Sequence, residues 1–174
     1  MTLTEYAQLA QRTASTKTKE DKIGHGMLGL IGEAGEIIDI IKKQKYMGMP
    51  EALAREKMVD EAGDFVWYLV ELCTGFDLNI EDTFYVAAEW HTLNDSVEDA
   101  AVDLAGLSLD LHDSNDGNLM DFDSICDVVC CYLDLLKLAK IDGQEVLTHN
   151  IEKLRKRYPE GFSEDRSNVR YEHG

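Results

Sequence analysis

The stretch Leu30-Ile-Gly-Glu-Ala-Gly-Glu-Ile-Ile38 sets apolar residues three and four apart around two glutamates, Glu33 and Glu36. A half-buried strand would alternate its apolar positions, whereas this spacing gathers them into one stripe of a helix. The stripe runs outward through Ile23, Met27 and Ile41, and the spacing returns in Met58, Phe65, Val66, Leu69, Leu72 and Cys73. Between the two runs, Lys45-Tyr-Met-Gly-Met-Pro50 places a glycine and a proline where one helix must end and the chain must turn. The reading is a helical hairpin of 22–44 and 51–75. The same periodicity predicts further helices over 3–16, 80–92, 95–112, 121–139 and 143–157. Seven helices without a credible strand define an all-α bundle. Asp113-Ser-Asn-Asp-Gly-Asn118 reads as a polar turn, and periodicity lapses after Pro159, so 1–160 is expected as one domain and 161–174 as an irregular tail.

A chain of 174 residues is long enough to bury a core without metal or disulfide staples. Its 34 acidic against 17 basic side chains give a net charge of −17, so the molecule as a whole repels nucleic acid and anionic lipid. A phosphate-bearing ligand therefore needs a cation to bring it in. No apolar run approaches the ~20 residues of a membrane span, and Met1-Thr-Leu-Thr-Glu-Tyr6 has none of the regions of a signal peptide, so the expected location is cytoplasmic. Cys73, Cys126, Cys130 and Cys131 lie at helix-interior spacings and read as buried free thiols.

Glu33 and Glu36 on the second helix, and Glu61 and Asp64 on the third, form two pairs spaced three apart, so each pair shares a face. Glu33 and Glu36 stand roughly 100° and 160° from their helix's apolar stripe, and Glu61 and Asp64 roughly 80° and 140° from theirs in the same sense. An antiparallel hairpin then brings all four to one side at one height, since the midpoint of Glu36 and Glu61 falls in the turn at Gly48 and Met49. Gathered carboxylates repel unless a cation neutralises them, and hard oxygen donors suit Mg²⁺ or Mn²⁺. Gly26, Gly29, Gly32 and Gly35 crowd the same helix at about 1 kcal/mol each relative to alanine. That cost predicts close approach by a backbone or a ligand. Lys57 and Tyr68 lie within a turn of the second pair as a cation and a stacking ring, although Trp67 and Tyr68 read first as core or edge aromatics.

Glu-x-x-Glu followed after 24 residues by Glu-x-x-Asp resembles the MazG-like all-α nucleoside triphosphate pyrophosphohydrolases. His25-Gly-Met-Leu-Gly-Leu-Ile-Gly-Glu-Ala-Gly-Glu36 is similar to the first motif helix of that family, and Asn150-Ile-Glu-Lys-Leu-Arg-Lys-Arg-Tyr-Pro-Glu-Gly-Phe162 to its C-terminal segment. The resemblance covers about 20–80 and 127–162 and leaves about 85–122 without a counterpart in a minimal member. It implies hydrolysis of a nucleoside triphosphate to monophosphate and pyrophosphate, with Mg²⁺ or Mn²⁺ on Glu33, Glu36, Glu61 and Asp64. Glu33 or Glu36 would serve as base, Glu33 being favoured because it lies nearer the apolar stripe. Lys153 and Arg157 are candidate phosphate partners, Asn150 a candidate reader of sugar or base, and a homodimer or higher homo-oligomer the expected assembly. His25, about three turns from Glu36, is expected to pack rather than to act beside the metal.

Asp64-Phe-Val-Trp-Tyr-Leu-Val-Glu-Leu72 can be laid on Asp127-Val-Val-Cys-Cys-Tyr-Leu-Asp-Leu135 at an offset of 63, with Leu78 on Ile141 and Asp82 on Glu145. The chain then reads as two related hairpins. Ser124 replaces Glu61 and Asp127 replaces Asp64 in the second, which leaves one complete acidic site. A di-iron bundle fails because the residues three before His25, His91, His112 and His149 are Lys22, Ala88, Leu109 and Val146. An EF-hand fails because Gly117 falls one place early when counted from Asp113. The competing class is a non-catalytic acidic helical nucleotide-binding, regulatory or adaptor protein.

Overall fold

The computed structural model describes residues 1–90, 94–113 and 122–162. Within them the chain forms α1 (Leu3–Gln11), α2 (Lys19–Met47), α3 (Glu51–Gly75), α4 (Ile80–Ala88), α5 (Val97–Asp113), α6 (Phe122–Leu138) and α7 (Gly143–Arg157), and no strand. The polar stretch at 114–118, the interval up to 121 and the tail beyond 162 lie outside the described residues, as does the end predicted for the fourth helix at 91–92.

Two long helices set the frame. Thr18 starts α2 with a capping box, its hydroxyl accepting from the Asp21 N–H, and Gly48 ends it in the left-handed region at φ 74°, its N–H bonded towards Lys43. The helix is therefore longer at both ends than its apolar stripe predicts. Pro50 then leads directly into α3. Leu30, Ala34 and Ile37 of α2 and Ala62, Phe65, Val66 and Leu69 of α3 are completely buried along the seam. A Cβ on Gly26 would sit 3.0 Å from the Leu72 backbone nitrogen, so glycine sets how closely these helices approach.

The first helix ends at Gln11, five residues short of its predicted end. Thr13 turns its hydroxyl onto the Ala10 carbonyl at 2.7 Å, and 12–18 form a loop instead. This loop becomes one wall of the site below. Around the hairpin, α5 packs on α2 and α6, while Lys45 pairs with Glu98. All four cysteines are buried and free. Among the described residues no helix is long and apolar enough to cross a membrane.

The offset of 63 found in the sequence reappears in the backbone. Asp77 and Lys140, 63 apart, are the two non-glycine residues with positive φ among those described, at 56° and 55°. After each, the chain makes the same bond, Leu78 N–H to the Cys73 carbonyl at 2.8 Å and Ile141 N–H to the Leu136 carbonyl at 2.9 Å. Asn79 and Asp142 then cap α4 and α7. The packing is exchanged between the halves: α4 follows α3 but lies on α6, and α7 follows α6 but lies on α3. The Phe65 and Tyr132 rings stack between α3 and α6, with centroids 5.3 Å apart.

Candidate functional site

Glu33 reaches from α2, and Glu61 and Asp64 from α3, so that carboxylate oxygens of all three lie within 4.8 Å of one another, each side chain partly buried. Glu36 is outside this group and exposed. Its phase, farthest from the apolar stripe, accounts for that exposure, and its charge still acts on Glu33 and Glu61.

Helix α7 supplies the supports. Lys153 Nζ bridges Asp60 Oδ1 at 2.6 Å and Asp64 Oδ2 at 2.7 Å. Asn150 is completely buried; its Nδ2 donates to Asp64 at 2.9 Å, while its Oδ1 accepts from the Tyr6 hydroxyl at 2.8 Å. This places Asn150 behind Asp64 as a positioning group, not at a surface where it could read sugar or base. Gly63 makes the docking possible, because a Cβ there would lie 2.9 Å from the Asn150 Cβ. Arg55 and Glu145 add a two-bond ion pair between α3 and α7, at 2.8 and 2.6 Å.

The electrostatics follow from this crowding. Burial, then the charges of Asp64 and Glu61, push the Glu33 carboxyl up to about 8. Burial, with Asp60 and Asp64, also raises Glu61. For Lys153, burial favours the neutral amine, but Asp64 and Asp60 reverse that and raise it. Burial would likewise raise Asp60, but its hydrogen bond and charge pairing with Lys153, helped by His149, hold it below the usual carboxylate range. One ammonium thus balances part of a cluster that still carries an excess of negative charge. Its donors are hard carboxylate oxygens, which fit Mg²⁺ or Mn²⁺.

Glu33 and Asp64 open into a cleft of about 180 Å³. Its other walls are His25, Trp67 and Tyr68, the loop residues Thr13 and Ser15, and Arg157, Tyr158 and Phe162 from the end of α7 and the turn after it. The Trp67 indole N–H donates to Thr13 Oγ1 at 3.0 Å and to the Ala10 carbonyl at 3.3 Å, fastening the loop. Phe162 is fastened to the same loop through its N–H and the Arg12 carbonyl, at 3.1 Å. Lys57 is not part of this cleft. It shares the Asp60 face of α3 and lines a separate groove of about 570 Å³ with His149, Lys153 and Lys156.

The glycines of α2 divide by what they face. A Cβ on Gly29 would fall 2.1–2.3 Å from the Tyr68 ring, whereas one on Gly32 or Gly35 would meet nothing within 4 Å. Close approach within the protein therefore explains Gly26 and Gly29, and Gly32 and Gly35 face open space. Gly29→Ala is expected to destabilise the fold by about 1–3 kcal/mol through overpacking. Gly32→Ala is expected to stabilise it by up to about 1 kcal/mol through helix propensity. Urea unfolding of both variants checks this, and equal signs would refute it.

Sequence reasoning passed over Tyr6, Asp60 and Glu71. Asp60 carried a signal, since it lies one turn before Asp64 on the same face. So did Glu71, a lone acid inside Leu69-Val-Glu-Leu-Cys73, and it is completely buried. No family model matches the chain, and neither does any curated protein or solved structure.

Proposed function

We propose that this chain is a divalent-cation-dependent nucleoside triphosphate pyrophosphohydrolase, converting a (deoxy)nucleoside triphosphate to the monophosphate and pyrophosphate. One observation carries the reading: Glu33 and Asp64, two of three carboxylates whose oxygens lie within 4.8 Å of one another, line a cleft that also holds the rings of His25, Trp67 and Tyr68 and the Arg157 side chain. Glu33, Glu61 and Asp64 would hold Mg²⁺ or Mn²⁺, with Glu36 as an exposed neighbour. A cation bound there supplies neutralisation of phosphate charge and a more acidic water. Glu33, partly buried and at the edge of the cation site, is suited to take the proton of the attacking water. Asn150 and Lys153 hold Asp64 in place. The rings of Tyr68 and Trp67 offer faces to a base, and Arg157 brings positive charge to the phosphates. A cytoplasmic setting and assembly as a homodimer or higher homo-oligomer belong to the same proposal.

The test is a screen of ribo- and deoxyribonucleoside triphosphates for pyrophosphate release in Mg²⁺ or Mn²⁺ and in excess EDTA. Release that requires the cation is the expected result. Turnover unchanged in EDTA would remove the acidic cluster from the chemistry. Cation-dependent nucleotide binding without any release would instead favour the non-catalytic nucleotide-binding protein.

A further inference from the structure

Glu71 sits in the middle of α3 with its side chain completely out of solvent. Burying a carboxylate costs several kcal/mol unless donors surround it, and three do. Thr16 Oγ1 donates to it at 2.7 Å, Lys22 Nζ at 3.1 Å and His25 Nδ1 at 2.7 Å. Burial alone would raise its pKa, but the bonds from His25, Thr16 and Lys22 outweigh that and hold Glu71 ionised. The three donors come from the α1–α2 loop and the first two turns of α2, so the network ties that loop and the start of α2 to α3.

A network built only for stability could be sealed, and this one is not. His25 keeps 40% of its side chain exposed and lines the cleft that holds Glu33 and Asp64. Lys22 already supplies a full positive charge to Glu71, so His25 is needed there only as a hydrogen-bond donor through Nδ1. A neutral ring that gives its Nδ1 proton to a carboxylate carries a bare lone pair on Nε2. Among the described residues Nε2 makes no hydrogen bond. Nearby polar groups are committed elsewhere: the Trp67 N–H to Thr13 and Ala10, the Thr16 hydroxyl to Glu71, and the Lys22 ammonium to Glu71, Gln11 and Thr16. Trp67 and Tyr68 meet the imidazole edge-on, with centroids at 5.9 and 5.2 Å. Flat ring faces accept any base, whereas a fixed acceptor selects one that presents a donor.

We propose that His25, oriented by the buried Glu71, reads the nucleotide base by accepting a hydrogen bond at Nε2 from a base N–H. This rests on the nucleotide reading of the cleft and adds a selecting residue to it. The ligand class is a nucleotide whose base carries an amino or imino hydrogen on the edge away from the sugar. Glu71 acts through His25 and is a positioning residue.

The test uses the full chain with Mg²⁺ and titrates nucleoside monophosphates of each base against counterparts whose base N–H hydrogens are replaced by methyl groups. The expected result is that methylation weakens the best-bound base at least about tenfold in the parent protein, and less than about twofold in His25→Phe. Glu71→Gln, which keeps the shape, should also shrink the ratio. If that variant fails to fold, the ¹⁵N spectrum of His25 in the parent decides the point, the proton residing on Nδ1 in the neutral ring. Equal binding of methylated and parent bases, an undiminished ratio in His25→Phe, or a neutral ring protonated at Nε2 would each overturn the proposal. Base discrimination that depends on His25, without pyrophosphate release from any triphosphate, would overturn the enzymatic reading alone. No nucleotide binding at all would overturn both.

Discussion

Glu33→Gln is expected to slow pyrophosphate release by at least about 100-fold, the lower end of what a general base contributes, while making the cation-free protein more stable. Burial and the charges of Asp64 and Glu61 hold the Glu33 proton to a pKa of about 8, against an ordinary value of 4.5. Between those two pH values the folded chain binds a proton that the unfolded chain has lost, so stability falls as pH rises through the window and levels off above it. Glutamine cannot ionise and escapes that loss. The advantage of the variant should therefore be absent near pH 4, grow towards pH 8 and stay constant beyond. Solvent screening at a partly exposed carboxylate holds the gain to about 1–2 kcal/mol. Urea unfolding at pH 4, 6 and 8.5 in EDTA measures it. Saturating Mg²⁺ should reverse the order, because the cation takes the place of the proton, and its affinity for the parent should tighten with pH up to about 8. Equal stability of parent and variant at every pH would mean that the acids are not electrostatically coupled.

The helices were legible because each carries one apolar stripe, and a stripe reports period and phase directly. Their ends were less so. Thr18 caps α2 with Asp21 as its capping-box partner, but both lie outside the apolar pattern; residues 12–16 contain nothing that a helix forbids, yet Thr13 closes α1 at Ala10. Phase also brought Glu33, Glu61 and Asp64 to one side of the hairpin. It also marked Glu36 as the acid farthest from the stripe, but phase gives a direction and not a distance, so the separation of its carboxylate from the other three could not be read. The supports depend on which helix lies against which. Lys153 and Asn150 stood out only through the C-terminal segment, and nothing local in that segment says that both turn towards Asp64. Glu71 was visible as an acid in an apolar run, but its partners Thr16, Lys22 and His25 are gathered by tertiary contact.

Mixing a Glu61→Ala chain with a Lys153→Ala chain, under conditions where subunits exchange, is expected to restore no activity. In the described chain, Lys153 and Asn150 of the second half reach Asp64 of the first half, at 2.7 and 2.9 Å, so the acids and their supports belong to one polypeptide. The second half offers no equivalent acidic set in return, because Ser124 stands at the offset position of Glu61. Lys153→Ala leaves Asp60 and Asp64 without their shared ammonium, and Glu61→Ala removes a carboxylate from the only such group of acids among the described residues. Each variant carries its defect inside its own site, and a partner chain cannot supply the missing group. If sites were instead built across two chains, random mixing would give one intact site in about a quarter of the total, and activity would recover towards that fraction of the parent. Recovery of that size would show that the exchanged packing of α4 and α7 is completed between subunits, and the single-chain site would have to be given up.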